Sequence, residues 1–145
     1  GKSNQDMQIA IINGPNLNLL GKRETNIYGS EDFNVFYAQL KSQYTQLELS
    51  YYQSNSEGQI VSKIQELGFG VDGIILNPAA YSHTSIAIRD AISAIKVPVL
   101  EVHISNIYAR EAFRNHSHIS AVAVGVISGL GLKGYNLALD YFSYK

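Results

Sequence analysis

IAIINGPNLNLLGKRETNIYG, residues 9–29, passes from an apolar run directly into a loop dense with asparagine, glycine and charge. The same transition recurs twice. GIIL (73–76) leads into NPAAYSHTS (77–85), and VPVL (97–100) leads into EVHISNIYAREAFRNHS (101–117). Short apolar runs bounded by turn residues read as β-strands. In an open parallel sheet the carboxyl ends of the strands line one crevice, so three chemically rich loops at that edge point to one shared site.

Working outward from residues 9–29, strands and helices alternate. Strand 1 covers about 8–12, and Ser30 is placed to cap a helix over about 31–45. Phe33, Phe36, Tyr37, Leu40 and Tyr44 recur along that helix at helical spacing, and Glu31 and Asp32 suit its first turn. LELSYYQ (47–53) is strand 2; Ser56 then caps a helix over 57–67 that ends at Gly68. Strand 3 is 73–77, and a helix follows over about 84–95. Strand 4 is 97–103, with a helical turn near 110–116, strand 5 at about 120–126 and a last helix over about 130–143. Five such alternations predict an α/β fold, one parallel sheet with helices on both faces. Right-handed crossovers favour the flavodoxin-like strand order 2-1-3-4-5. The chain then reverses direction across the sheet between strands 1 and 3. Asn13, Asn16 and Asn77 are expected to floor the crevice there, with Glu101 and His103 beside it.

Composition narrows the class. The 145 residues suit one domain over 1–145, with the polar, unpatterned GKSNQD (1–6) expected to be a frayed or added end. Formal net charge is −1 with no block of like charge, which argues against broad nucleic-acid binding. The longest apolar runs fall far short of the ~20 residues a membrane span needs, and no signal segment opens the chain. The absence of cysteine removes disulfides, thiolate zinc sites and cysteine nucleophiles together. It leaves the compartment open on redox grounds; the cytoplasm is the expected location. Ten tyrosines stand against no tryptophan, and most should be packing or interface residues.

Each chemical candidate has a plainer rival. Glu101 and His103 lie two apart on a strand and so share a face, where the carboxylate can orient the ring and raise its proton affinity. A surface ion pair would look the same, but the strand is otherwise apolar. Tyr28 lies in one loop with Arg23. A phenol acting as base near neutrality needs its anion stabilised by about 4 kcal/mol, which a guanidinium can supply; alone, a tyrosine before a glycine is usually a packing or turn residue. Gly21 and Gly29 suit hinges of a lid, though paired glycines are common in inert loops. Asn13, Asn16 and Asn77 suit hydroxyls or a developing enolate oxygen, or else ordinary turn chemistry. His83, Thr84 and Ser85 would open helix 3, where N–H groups attract a carboxylate or phosphate; Ser82 or Thr84 could equally be only a cap. GLGLKG (129–134) spells a dinucleotide fingerprint, but no strand follows it to carry a ribose-binding acid, and close helix packing accounts better for its glycines. His116, His118, His103 and Glu101 lack any known zinc-ligand spacing.

At this point several long segments in order resemble the type II 3-dehydroquinate dehydratases. They are INGPNLNLLGKRE with IYG, YYQSNSEGQIVSKI, ILNPAAYSHTSIAIRDAI, VPVLEVHISNIYAREAFRNHS and GVISGLGLKGY, spanning about Ile9 to Leu139. The resemblance implies a flavodoxin-like fold and loss of water from 3-dehydroquinate to give 3-dehydroshikimate, without metal, cofactor or Schiff base. It implies a homo-oligomer, a dodecamer of four trimers. It places the reaction in the shikimate pathway to chorismate and the aromatic amino acids; the same reaction also serves quinate breakdown. By position, Tyr28 matches the base and Arg23 the lid arginine favouring its phenolate. Asn16 matches the residue placing a water against the enolate, His103 the acid, and Glu101 its orienter. Asn77, His83, Ile104, Ser105 and Arg114 match the substrate-binding set, and Asp90 an acid that reaches a neighbouring subunit's site. Thr25, Ser56, Ala79 and Tyr108 depart from the family's usual residues, proline, histidine, glycine and histidine respectively. The rival classes are weaker. A phosphoryl receiver needs an acidic pair where Ile12 and Asn13 stand, and an FMN or nucleotide binder needs a Ser/Thr/Gly-rich loop where NGPNLNLL stands; a zinc hydrolase lacks ligand spacing.

Overall fold

The computed structural model describes residues 7–21, 32–109 and 111–144. A parallel sheet of five strands runs through it: β1 (Met7–Asn13), β2 (Leu47–Gln53), β3 (Gly73–Asn77), β4 (Val99–His103) and β5 (Gly125–Ser128). Their order is β2-β1-β3-β4-β5, the flavodoxin-like order expected from the alternation. Helices α1 (Phe33–Gln43), α2 (Glu57–Leu67), α3 (Ile86–Ala94) and α4 (Lys133–Ser143) pack on the two faces.

The period-2 pleat divides the apolar residues between two cores. Ile9 and Ile11 of β1 point to one side with Ile75, Leu100 and Val102. There α1 covers them through Phe33, Phe36 and Leu40, and α4 through Tyr135, Ala138, Leu139 and Phe142. Ala10 and Ile12 point to the other side with Ile74, Leu76 and Val99, under Ile60 and Ile64 of α2 and Ile88, Ala91 and Ile92 of α3. Each fully buried isoleucine contributes roughly 1.5–3 kcal/mol, so the sheet's register is held from both faces.

Local chemistry sets the ends of these elements. Ser56 caps α2 as expected, its Oγ accepting from Gln59 N at 3.2 Å. The cap of α1 is Asp32, whose Oδ1 accepts from Asn34 N at 2.7 Å. Ser30, the expected cap, lies outside the described residues. Helix α3 starts at Ile86 rather than 84, because Ala79–His83 form a 3₁₀ turn and Ser85 Oγ accepts from Ile88 N at 2.9 Å.

Strand 5 corrects the sequence reading. It spans 125–128, not 120–126. The intervening Ser120–Val124 are spent in a tight turn, with Val122 N and Ala123 N both donating to Ile119 O at 3.0 and 3.1 Å. Val124 N reaches Val99 O at 2.8 Å, and only then does the ladder begin, pairing Leu100 with Gly125 and His103 with Ser128.

Candidate active site

β1, β3 and β4 end at the same edge of the sheet, and a cleft of about 250 Å³ opens there. Asn16, Asn77, His83, His103, Ile104, Ser105 and Arg114 all line it, so the three loops do converge. Tyr28 and Arg23 lie outside the described residues, as does Gly29. Asp90 sits exposed on α3 and is not part of this cleft. Asn13 is a correction. It is fully buried beneath the cleft rather than lining it, because its Oδ1 accepts a 2.7 Å bond from the Tyr135 hydroxyl. Asn13 Nδ2 is a buried donor without a hydrogen-bond partner among the described residues.

Glu101 and His103 are the electrostatic centre. Both are buried, and His103 Nε2 is hydrogen-bonded to Glu101 Oε2. A carboxylate only accepts, so Nε2 carries a proton and Nδ1 is the ring nitrogen left for a ligand. Glu101 also accepts from Ser117 Oγ at 2.8 Å and from Ser120 Oγ at 2.7 Å. Burial pushes its acidity toward the neutral form, but the bond and charge of His103 and the two serines more than offset this and hold its carboxyl below the usual range. The two serines escape a sequence reading, because nothing in RNHSHIS marks which hydroxyl will turn inward. They also explain the shifted strand: anchoring 117–120 to Glu101 draws that segment off the sheet.

His83 is held by an Nδ1 contact to the His116 carbonyl at 2.8 Å. A carbonyl cannot donate, so Nδ1 bears the proton and Nε2 is an acceptor in the neutral ring. Arg114 gives its Nε to Glu111 Oε1 at 3.0 Å and lies over Phe113, 4.9 Å from the ring centre. Its terminal nitrogens are the fork it can offer to a ligand oxygen. Asn16 takes a left-handed conformation (φ 70°), one that asparagine tolerates better than most residues. Its N–H donates to Asn55 Oδ1 at 3.0 Å, and Gln53 Nε2 donates to Gly14 O at 3.1 Å beside it. Asn77 has both ends of its amide engaged. Nδ2 donates to Tyr135 Oη at 3.0 Å, and Oδ1 accepts from Ala79 N at 3.1 Å.

GLGLKG supports this site from behind. Gly129 and Gly131 adopt φ of 89° and 64°, which lets their N–H groups donate to the carbonyls of His103 and Ile104 at 3.2 and 3.0 Å. Gly134 fits the expected packing role, since a Cβ there would press on Val102 and Ile127. His116 and His118 stack edge to face on each other, 4.8 Å apart. Among the described residues no group of three His, Asp or Glu side chains is arranged to hold a metal ion.

The fold is a flavodoxin-like sheet with a buried Glu–His pair at its carboxyl edge, beside a polar cleft. The class II dehydroquinase family model matches residues 7–143. A 3-dehydroquinate dehydratase of Aliarcobacter butzleri is 56% identical over 135 residues, covering 92% of this chain and 82% of that protein. One of Brucella canis is 57% identical over 133 residues, covering 90% and 85%. The crystal structure of the type II dehydroquinase of Butyrivibrio crossotus superposes with a TM-score of 0.91 at 47% identity, covering 95% of this chain and 98% of that one. The chain belongs to the class II dehydroquinase family.

Proposed function

We propose that this hydro-lyase eliminates water from 3-dehydroquinate to give 3-dehydroshikimate, through an enolate, with Tyr28 as base and His103 as acid. The observation that carries the reading is the buried Glu101–His103 pair opening onto a cleft lined by Asn16, Asn77, His83 and Arg114. Elimination of a hydroxyl β to a ketone needs three things: a base for the carbon next to the ketone, a place for enolate charge, and an acid for the departing oxygen. Tyr28, favoured as phenolate by Arg23, takes the first proton. Asn16 holds a water against the enolate oxygen. His103 Nδ1 then protonates the leaving hydroxyl as the carbon–oxygen bond breaks, and Glu101 keeps the ring aimed until it does. Water leaves, and the new double bond is conjugated with the ketone. No step calls for a metal, an organic cofactor or an imine.

Asn77, His83, Ile104, Ser105 and Arg114 bind the substrate's hydroxyl and carboxylate groups in this reading. Asp90 serves the neighbouring subunit of a trimer, four of which make a dodecamer. The enzyme works in the cytoplasm, in the shikimate pathway. The test is the ultraviolet absorbance of the conjugated enone formed from 3-dehydroquinate, with EDTA and borohydride controls. Turnover should survive both reagents, and Tyr28→Phe should abolish it while fold and assembly persist. Near-normal turnover by Tyr28→Phe would remove the phenol from the mechanism.

A further inference from the structure

We propose that Tyr135 is a positioning residue that fixes the amide of Asn77 for substrate binding, a role that rests on Asn77 contacting substrate. Tyr135 is 0% exposed, on α4, with its ring edge-on to Phe33 and Phe36 at 5.0 and 6.0 Å. Its hydroxyl donates to Asn13 Oδ1 at 2.7 Å, so its one proton is committed. The oxygen can then only accept from Asn77, at 3.0 Å, which requires Nδ2 and not Oδ1 to face it.

An asparagine amide has nearly the same shape when turned end for end, and its partners alone decide the orientation. Turned over, Asn77 would set Nδ2 against the Ala79 N–H that Oδ1 now accepts at 3.1 Å, donor against donor. It would also set Oδ1 against a phenol oxygen with no proton to give. Both contacts therefore select one orientation. In it Nδ2 keeps a second N–H beyond the bond to Tyr135, on a residue that lines the cleft. The site is thereby set to meet an acceptor on the ligand, a hydroxyl or carboxylate oxygen. Burial pushes the Tyr135 phenol far up, so it stays an O–H donor across the working pH range.

The test is steady-state kinetics with 3-dehydroquinate for Tyr135→Phe, Asn77→Ala and the double variant. Losing one of the two contacts that orient the amide weakens binding in ground and transition states alike, so Tyr135→Phe should raise KM by about tenfold with little change in kcat. Partial unfolding would instead lower apparent kcat at unchanged KM. The double variant should be no worse than Asn77→Ala, because the two act through one amide. A wild-type KM for Tyr135→Phe, or losses that multiply in the double variant, would overturn the proposal. A wild-type KM for Asn77→Ala would instead remove Asn77 from the substrate, and with it the group Tyr135 positions. Should Tyr135→Phe fail to fold, Asn13→Leu frees the hydroxyl proton and leaves the tyrosine in place. A raised KM there supports the role, and an unchanged KM refutes it.

Discussion

Glu101 brings a carboxylate into a fully buried position, and three donors keep it ionised. Because its folded acidity lies below the ordinary value of 4.5, ionisation stabilises the fold above that value, and the stabilisation is lost as pH falls below it. Glu101→Gln should therefore lose about 2 kcal/mol at neutral pH and progressively less in acid, where the wild type protonates too. Urea unfolding of both proteins across that window measures the difference; a gap independent of pH would contradict it. Glu101 and His103 were legible in the sequence, since an i, i+2 pair on a strand must share a face. Their other partners were not. Ser117 and Ser120 reach Glu101 through a loop whose path no local pattern fixes, and Tyr135 meets Asn13 across 122 residues of chain.

Elements read from the sequence hold where a cap and an apolar stripe agree. α2 and β3 match their expected bounds, and Ser56, where the family resemblance implies histidine, serves as the helix cap. β5 moves by several residues because side chains of the preceding turn are bound to Glu101, a tertiary demand that alternating Ala and Val could not signal. The turn after β3 carries a departure of another kind. Ala79, where the family resemblance implies glycine, sits at φ 52°, where a Cβ is strained. Ala79→Gly should relieve that strain and raise the unfolding free energy by about 0.5–1 kcal/mol after the added freedom of the unfolded chain. Denaturant midpoints at an unchanged slope would report it, and a lower midpoint would contradict it. Tyr108, exposed on the 3₁₀ turn Ile107–Ala109, has no structural consequence on view, and Thr25 lies outside the described residues.

For the whole molecule, strand order was legible because connection handedness leaves few ways to thread five alternating units. That order gathers Asn16, Asn77 and His103 from distant sequence into one cleft. Assembly belongs to the proposed function, and Asp90 gives the means to test it. If it completes a neighbour's site, Asp90→Ala and His103→Ala proteins, each impaired, should regain activity when unfolded and refolded together, since mixed trimers pair an intact acid with an intact Asp90. Refolded mixtures no more active than the separate variants would confine each site to one chain. The proposed reaction divides between Tyr28 as base and His103, at the end of β4, as acid. His103→Ala incubated with 3-dehydroquinate in deuterium oxide separates the two. Proton exchange at the carbon beside the ketone should continue while 3-dehydroshikimate fails to form; if neither exchange nor product is seen, His103 acts before the proton is removed and the division is wrong.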